Sequence, residues 1–310
     1  MSFLRSREFA LALILVAMLL AAWRLDPRFV QPRAQMLLAT HVWELAIVAV
    51  PMLLIVLSRG IDLSVGSTVA LAGVCLGLAH ERGAPPALAI LAALCVGAAA
   101  GALNGWCVAR WGVHPLIATL ATMAAFRGLA EGVTLARPIS GYPEAIARWS
   151  QAPWPMTVFL LLAGVAAFVL ARTVWGRWIV AVGYEERAAR FAGIPVDRLK
   201  LALYTVSGAC CGLAAVLLVA RNNTAKADMG MGLELEAITA VVLGGASIDG
   251  GKGKVSGLVL GLALIHFTRE FVSWHWKRTE LNLVVIGALL IAAVLLERAL
   301  GSGKGSRRTS

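Results

Sequence analysis

Charge is scarce in this sequence. Acidic and basic residues make up 15% of its 310 positions, where a soluble domain carries about 25%. A water-soluble fold of this length is excluded, because it would lack the polar groups to cover its surface. The five histidines (His41, His80, His114, His266, His275) show no ligand spacing, and H-E-x-x-H is absent, which removes the zinc-hydrolase signature. The five cysteines (Cys75, Cys95, Cys107, Cys210, Cys211) lie in apolar runs without a C-x-x-C, so neither a disulfide framework nor a zinc knuckle is indicated. Gly245-Ala246-Ser247-Ile248-Asp249 misses G-x-S-x-G at its last position. Gly250-Gly251-Lys252-Gly253-Lys254-Val255-Ser256 lacks phosphate-loop spacing, because position 248 is Ile and Val255 follows the lysine. The expectation is a chain that is no enzyme, holds no catalytic residue, metal or cofactor, and does not hydrolyse ATP itself.

What is present is apolar: 59% of the residues are hydrophobic and the mean hydropathy is +0.80. The fold class indicated is an all-α polytopic membrane protein, a bundle of about ten transmembrane helices of about 20 residues each. The apolar runs fall at 9–23, 41–58, 64–80, 85–110, 114–132, 155–173, 200–220, 234–247, 255–273 and 281–297. Broken or short helices are expected near residues 58–67 and 244–257, where glycines interrupt the runs. No convincing cleavage site follows the first run, which reads as an uncleaved helix. The net charge of +11 does not form one patch, so nucleic acid is excluded as a partner. Sixteen of the 28 basic residues fall in alternate loops if the N-terminus lies inside, and ten in the others. That bias places both termini in the cytoplasm of a bacterial inner membrane. One membrane domain covers 1–300, with a polar, partly helical inside loop at 174–199, and the polar tail 301–310 reads as disordered. The outer loop 133–154, rich in proline, reads as irregular.

Small residues recur at helical spacing. Gly97, Gly101 and Gly105, and again Gly257 and Gly261, form G-x-x-x-G ridges that let helices approach closely. Ile61-Asp62-x-x-x-Gly66 is echoed six spans later by Ile248-Asp249-x-x-x-Gly253, a weak sign of duplication. A carboxylate beside a span is costly unless paired or wet. Asp62, Ser64 and Ser67 therefore read either as a helix cap or as part of a translocation path or gate. Asn104, Thr119, Thr122 and Arg127 are the further path candidates inside spans. Arg127 needs a partner, and Glu131 four residues on is the nearest. Glu44, Glu236, Arg269 and Glu270 lie near span ends and read as snorkelling groups.

Several blocks then carry a resemblance. Gly60-Ile61-Asp62-Leu63-Ser64-Val65-Gly66-Ser67 resembles the signature of ribose-type ABC importer permeases, within the branched-chain-type permease family. So do Leu103-Asn104-Gly105, the stretch 114–120, and Phe126-Arg127-Gly128-Leu129-Ala130. Ala181-Val182-Gly183, Ala188-Ala189-Arg190, the stretch 193–198 and the stretch 237–247 follow in the family's order. The chain looks most similar to autoinducer-2 and rhamnose permeases, with ribose and other monosaccharide permeases next. The resemblance implies a membrane-spanning subunit that pairs with a second permease chain, as homodimer or heterodimer. It also implies cytoplasmic ABC ATPase subunits that use the ATP, and a periplasmic sugar-binding protein. The inside loop would dock the ATPase through Gly183, Glu185, Glu186, Ala188, Ala189, Arg190 and Gly193. Arg59 and Ala121 depart from the family pattern, where glycine is usual, and Arg59 stands ready to pair with Asp62. The rivals are an ion-coupled secondary transporter, whose candidate carboxylates are Asp62, Glu44 and Glu131, a membrane-embedded enzyme, and a branched-chain amino-acid or nucleoside permease.

Overall fold

Long apolar runs leave the backbone no hydrogen-bond partner but itself, and helices follow. A computed structural model describes residues 7–31, 34–35, 38–276, 281–282, 284–289 and 291. The helices are α1 (Arg7–Leu25), α2 (Trp43–Leu57), α3 (Val65–Glu81), α4 (Pro86–Ala109), α5 (Pro115–Thr134), α6 (Glu144–Ala147), α7 (Trp154–Arg172), α8 (Val174–Tyr184), α9 (Glu186–Phe191), α10 (Val196–Asn222), α11 (Leu233–Leu243) and α12 (Val255–Trp276). Five of them, α4, α5, α7, α10 and α12, are long and apolar enough to cross a membrane; the stretch Leu11–Leu25 of α1, with α2 and α3, makes shorter apolar helices. Proline in the first turn of α4, α5 and α7 costs no helical hydrogen bond there. Asn223 ends α10 in the left-handed conformation. Of the tenth apolar run, residues 281–282, 284–289 and 291 are described; the tail 301–310 lies outside the described residues.

The core is built on α2 and α10. Every residue of α2 from Glu44 to Leu57 is buried, as expected of a helix apolar all round. Helix α10 packs on α4, α2 and α3. Its contact with α4 is backbone to backbone: a Cβ added at Gly97 would overlap the Gly208 carbonyl, and one at Gly101 the Tyr204 carbonyl. Gly105 faces Leu201, where a Cβ would come within 2.9 Å of the Cα. The second close crossing joins α12 to α11, with Gly257 against the Gly244 carbonyl and Gly261 against the Ala240 carbonyl.

One segment differs from the sequence expectation. The 133–154 loop is partly ordered: β1 (Ile139–Ser140) pairs antiparallel with β2 (Thr224–Ala225), and α6 and a 3-10 turn follow. Backbone pairing with the segment after α10, invisible to local pattern, is the reason. The segment 174–199, expected to be partly helical, is mostly helix. The Thr173 hydroxyl accepts from the Gly176 N–H at 3.2 Å and starts α8 directly after α7.

Candidate functional site

Residues 58–64, between α2 and α3, leave the helical path because Arg59 adopts a left-handed backbone (φ 64°). The turn drives Asp62 inward, where it is 2% exposed. Its Oδ1 accepts from the Ser64 N–H at 3.0 Å and the Ser64 hydroxyl at 2.7 Å, and its Oδ2 from the Ser207 hydroxyl at 3.4 Å. The Asn104 amide donates to Ser64 Oγ at 2.7 Å, and the Thr122 hydroxyl donates to Asn104 Oδ1 at 2.6 Å. A directed chain of hydrogen bonds thus runs from α5 through α4 to the Asp62 carboxylate, which α10 also reaches. Such chains polarise one another in a low-dielectric interior. The Ile61 carbonyl beside it accepts from the Tyr204 hydroxyl at 3.1 Å, with Thr119 Oγ1 3.4 Å away.

Five of the predicted path residues therefore meet: Asp62, Ser64, Asn104, Thr119 and Thr122. They form a brace joining the 58–64 turn to α4, α5 and α10. Ser67 stays local, donating to the Ser64 carbonyl at 2.9 Å. Arg59 does not pair with Asp62: it is exposed, and two serines hold the carboxylate instead. Asp62 serves as no direct cap of α3, since it binds the N–H of Ser64, the residue before the helix. Ser207 and Tyr204 were missed. The signal for them was polar groups in the apolar run 200–220, but their partners lie more than a hundred residues away.

Arg127 stands apart. Its guanidinium donates to the Ala227 carbonyl and, at 2.8 Å, to the Met229 carbonyl. Among the described residues no ion pair joins it to Glu131, which corrects the intrahelical pairing. Main-chain carbonyls of the loop after β2 serve a half-buried cation at a longer reach than a side chain one turn away. The snorkelling assignment also changes. Glu44 is 4% exposed and pairs with Arg221 at 2.9 Å, and Glu236 pairs with Arg269. These pairs tie α2 to α10 and α11 to α12, because tertiary packing buries the span ends.

Between α8 and α10, short α9 is anchored from both sides. The Glu185 carboxylate accepts from the Arg187 N–H at 3.2 Å and caps it. Glu186 takes Lys200 at 2.6 Å and Arg190 at 3.0 Å, and Arg190 also reaches Asp197 at 2.6 Å. Burial raises the Glu186 carboxyl, but Lys200 and Arg190 together outweigh it and hold it below its ordinary value. Ala189 packs inward, while Ala188, Arg187 and Phe191 face out, Phe191 at 93% exposure. Gly193 follows with φ 80° and open space around it. Gly183 is the joint: a Cβ there would overlap the Leu57 carbonyl and crowd Gly251. Gly251 itself donates its N–H to that Leu57 carbonyl at 2.9 Å. The end of α8, the end of α2 and the 244–254 loop therefore meet backbone to backbone at Gly183, Leu57 and Gly251, with the Tyr184 ring and the Leu57 side chain packed beside them.

Fold and site together define an integral membrane helix bundle braced by buried polar bonds, with an apolar helix (α8) leading into a short polar one (α9). Residues 36–294 match the family described as branched-chain amino acid transport system / permease component, and the chain belongs to that family. It is 35% identical over 299 residues to the autoinducer 2 import system permease protein LsrD of Photorhabdus laumondii, covering 93% of this chain and 90% of that one. Against LsrD of Salmonella paratyphi B it is 34% identical over 301 residues, 94% and 91% of the two chains. LsrD of Escherichia coli O9:H4 is 34% identical over 299 residues, 93% and 91%. No solved structure matches.

Proposed function

We propose that this chain is the membrane-spanning permease subunit of an ATP-driven importer, carrying a sugar-like solute of the autoinducer-2 type. One observation carries the reading: similarity to LsrD proteins spans 93% of the chain rather than a single motif. The reading has about ten spans, both termini in the cytoplasm, and a path formed with a second permease chain. On α5, a Cβ added at Gly128 or Gly132 would meet nothing within 4 Å, so the face carrying both has room for that second chain. Separate ATPase subunits hydrolyse ATP and press on α9, whose outward face carries Ala188 and Phe191. Gly183 passes that movement to α2 and the 244–254 loop as a rigid-body shift. A periplasmic binding protein delivers the solute. The Asp62 brace holds the wall of the path in place. The carboxylate of an ion-coupled transporter must exchange its ligand; Asp62 is committed to Ser64 and Ser207.

The family description favours one second reading, a branched-chain amino acid as cargo. A tagged pull-down from native membranes, with partners named by mass spectrometry, separates these. An ATPase subunit and a binding protein that retains a sugar-like solute are expected. A binding protein loaded with an amino acid would move the cargo to the second reading. A chain recovered alone, where a control importer stays intact, would sink the proposal.

A further inference from the structure

A cavity of about 300 Å³ lies between α2, α7, α8 and α10, away from both the brace and α9. Its walls are almost wholly apolar, with Val50, Pro51 and Leu54 of α2 behind. Along α7 the lining runs from Leu162 to Thr173, a length of about 16 Å at about 1.5 Å per residue. That is the depth of one leaflet, half of a hydrocarbon core about 30 Å thick. Val165 on α7 and Val206 on α10 both line the cavity and are 52% and 49% exposed. The groove therefore opens sideways, toward lipid.

At the α8 end the chemistry changes. Arg172 follows the lining residues Val165 and Val169 by seven and three positions on α7, so it extends the same helical face. Arg198 precedes the lining residue Ala202 by four positions on α10 and does the same there. Both arginines are exposed, and among the described residues neither makes an ion pair or hydrogen bond. Trp175 lines this end and is 45% exposed, the placement of an aromatic ring at a membrane–water interface.

An apolar groove one leaflet deep, ending in two guanidiniums without a partner among the described residues, complements one ligand chemistry. A neutral lipid would leave the arginines unused, and free phosphate would leave the groove empty. We propose that the groove binds an anionic phospholipid. One acyl chain lies along α7 between Val165 and Val206, and the phosphate is held by Arg172 and Arg198, whose planar forks match its oxygens. A lipid seated there touches α7, α8 and α10 at once, and so steadies the hairpin that leads into α9.

The test uses the full chain in detergent, titrated with dioleoylphosphatidylglycerol or dioleoylphosphatidylcholine and read by native mass spectrometry. One phosphatidylglycerol per chain is expected to bind in preference to phosphatidylcholine. The double variant Arg172→Gln/Arg198→Gln should lose about thirty-fold in phosphatidylglycerol affinity, about 1 kcal/mol per arginine at about 1.4 kcal/mol per tenfold. Its phosphatidylcholine binding should not change. Val165→Trp/Val206→Trp fills the groove from exposed positions and should weaken both lipids; circular dichroism and elution volume check that each variant folds. An unchanged phosphatidylglycerol preference in the arginine variant overturns the headgroup site. Unchanged lipid binding in the tryptophan variant overturns the groove. So does a tryptophan variant that loses a dimer mass instead of a lipid mass, since a second copy of the chain would then be the occupant.

Discussion

The two Ile-Asp-x-x-x-Gly segments sit in like positions and are held in opposite ways. At Asp62 the carboxylate is buried and side chains do the fastening: Ser64, Ser207, and through Ser64 the amide of Asn104. At Asp249 the carboxylate is exposed and backbone does the fastening. Gly250 and Gly251 take φ of 85° and 73°, Gly251 donates to the Leu57 carbonyl, and Ser247 donates its N–H to the Lys252 carbonyl at 2.8 Å. A side-chain brace fixes position, because each partner must find one geometry. A glycine contact fixes only distance, and helices touching through backbone can shift together. The first segment suits a wall that stays put, and the second a joint that moves with α8 and α9.

The largest effect is expected where glycine is the fastener. Gly183→Val places its Cβ against the Leu57 carbonyl and the Gly251 backbone, neither of which can swing aside. It should cost about 3 kcal/mol, read as a lower melting temperature in detergent. An unchanged melt would show that the joint is looser than its geometry. Next, Asp62→Ala strands the Ser64 N–H and two hydroxyls in the interior, at about 1–3 kcal/mol. Asp249→Ala should stay within about 0.5 kcal/mol. Equal losses at the two aspartates would erase the contrast. Asp62→Asn, which keeps an acceptor oxygen, should fall between. In the middle of the brace, a double-mutant cycle on Asn104→Leu and Thr122→Val should return a coupling of about 1 kcal/mol; purely additive losses would mean that the bond contributes nothing.

The smallest effect is one of pH. The Glu186 carboxyl is held below its ordinary value of 4.5 in the folded chain. Its contribution is therefore present above that value and lost as pH falls through the lower folded one. Amide exchange over residues 186–191 should quicken below about pH 4 relative to residues 244–254, beyond the intrinsic pH trend. Glu186→Gln should remove the difference. Equal profiles in the two segments, with wild-type Glu186, would contradict the ion-pair anchor.

How much of this was legible depended on range in the chain. Apolar runs marked the helices, and the ridges at Gly97, Gly101 and Gly105 marked the face that meets α10, because helical period is a local property. The brace was half legible. Asp62, Ser64, Asn104, Thr119 and Thr122 stood out as polar groups beside or within apolar runs. Ser207 and Tyr204 did not, since nothing local says that α10 passes the Asp62 turn. Long-range pairing also misled the reading of Arg127, which chose carbonyls of the loop after β2 over Glu131. It hid the Glu44–Arg221 pair as well. The 174–199 segment was read as polar and partly helical, but the extent of α8, whose residues Val174–Tyr184 are apolar apart from Arg177, was not separated from the polar stretch that follows it.

The most direct measurement is solute accumulation in proteoliposomes that hold this chain together with its co-purified partners. Accumulation of an autoinducer-2-type solute should require ATP on the α9 side and the binding protein on the other. It should survive ionophores, and fall with Gly193→Trp or Glu185→Lys while the chain still inserts. Accumulation by the chain alone, driven by an ion gradient and indifferent to ATP, would contradict the importer reading outright.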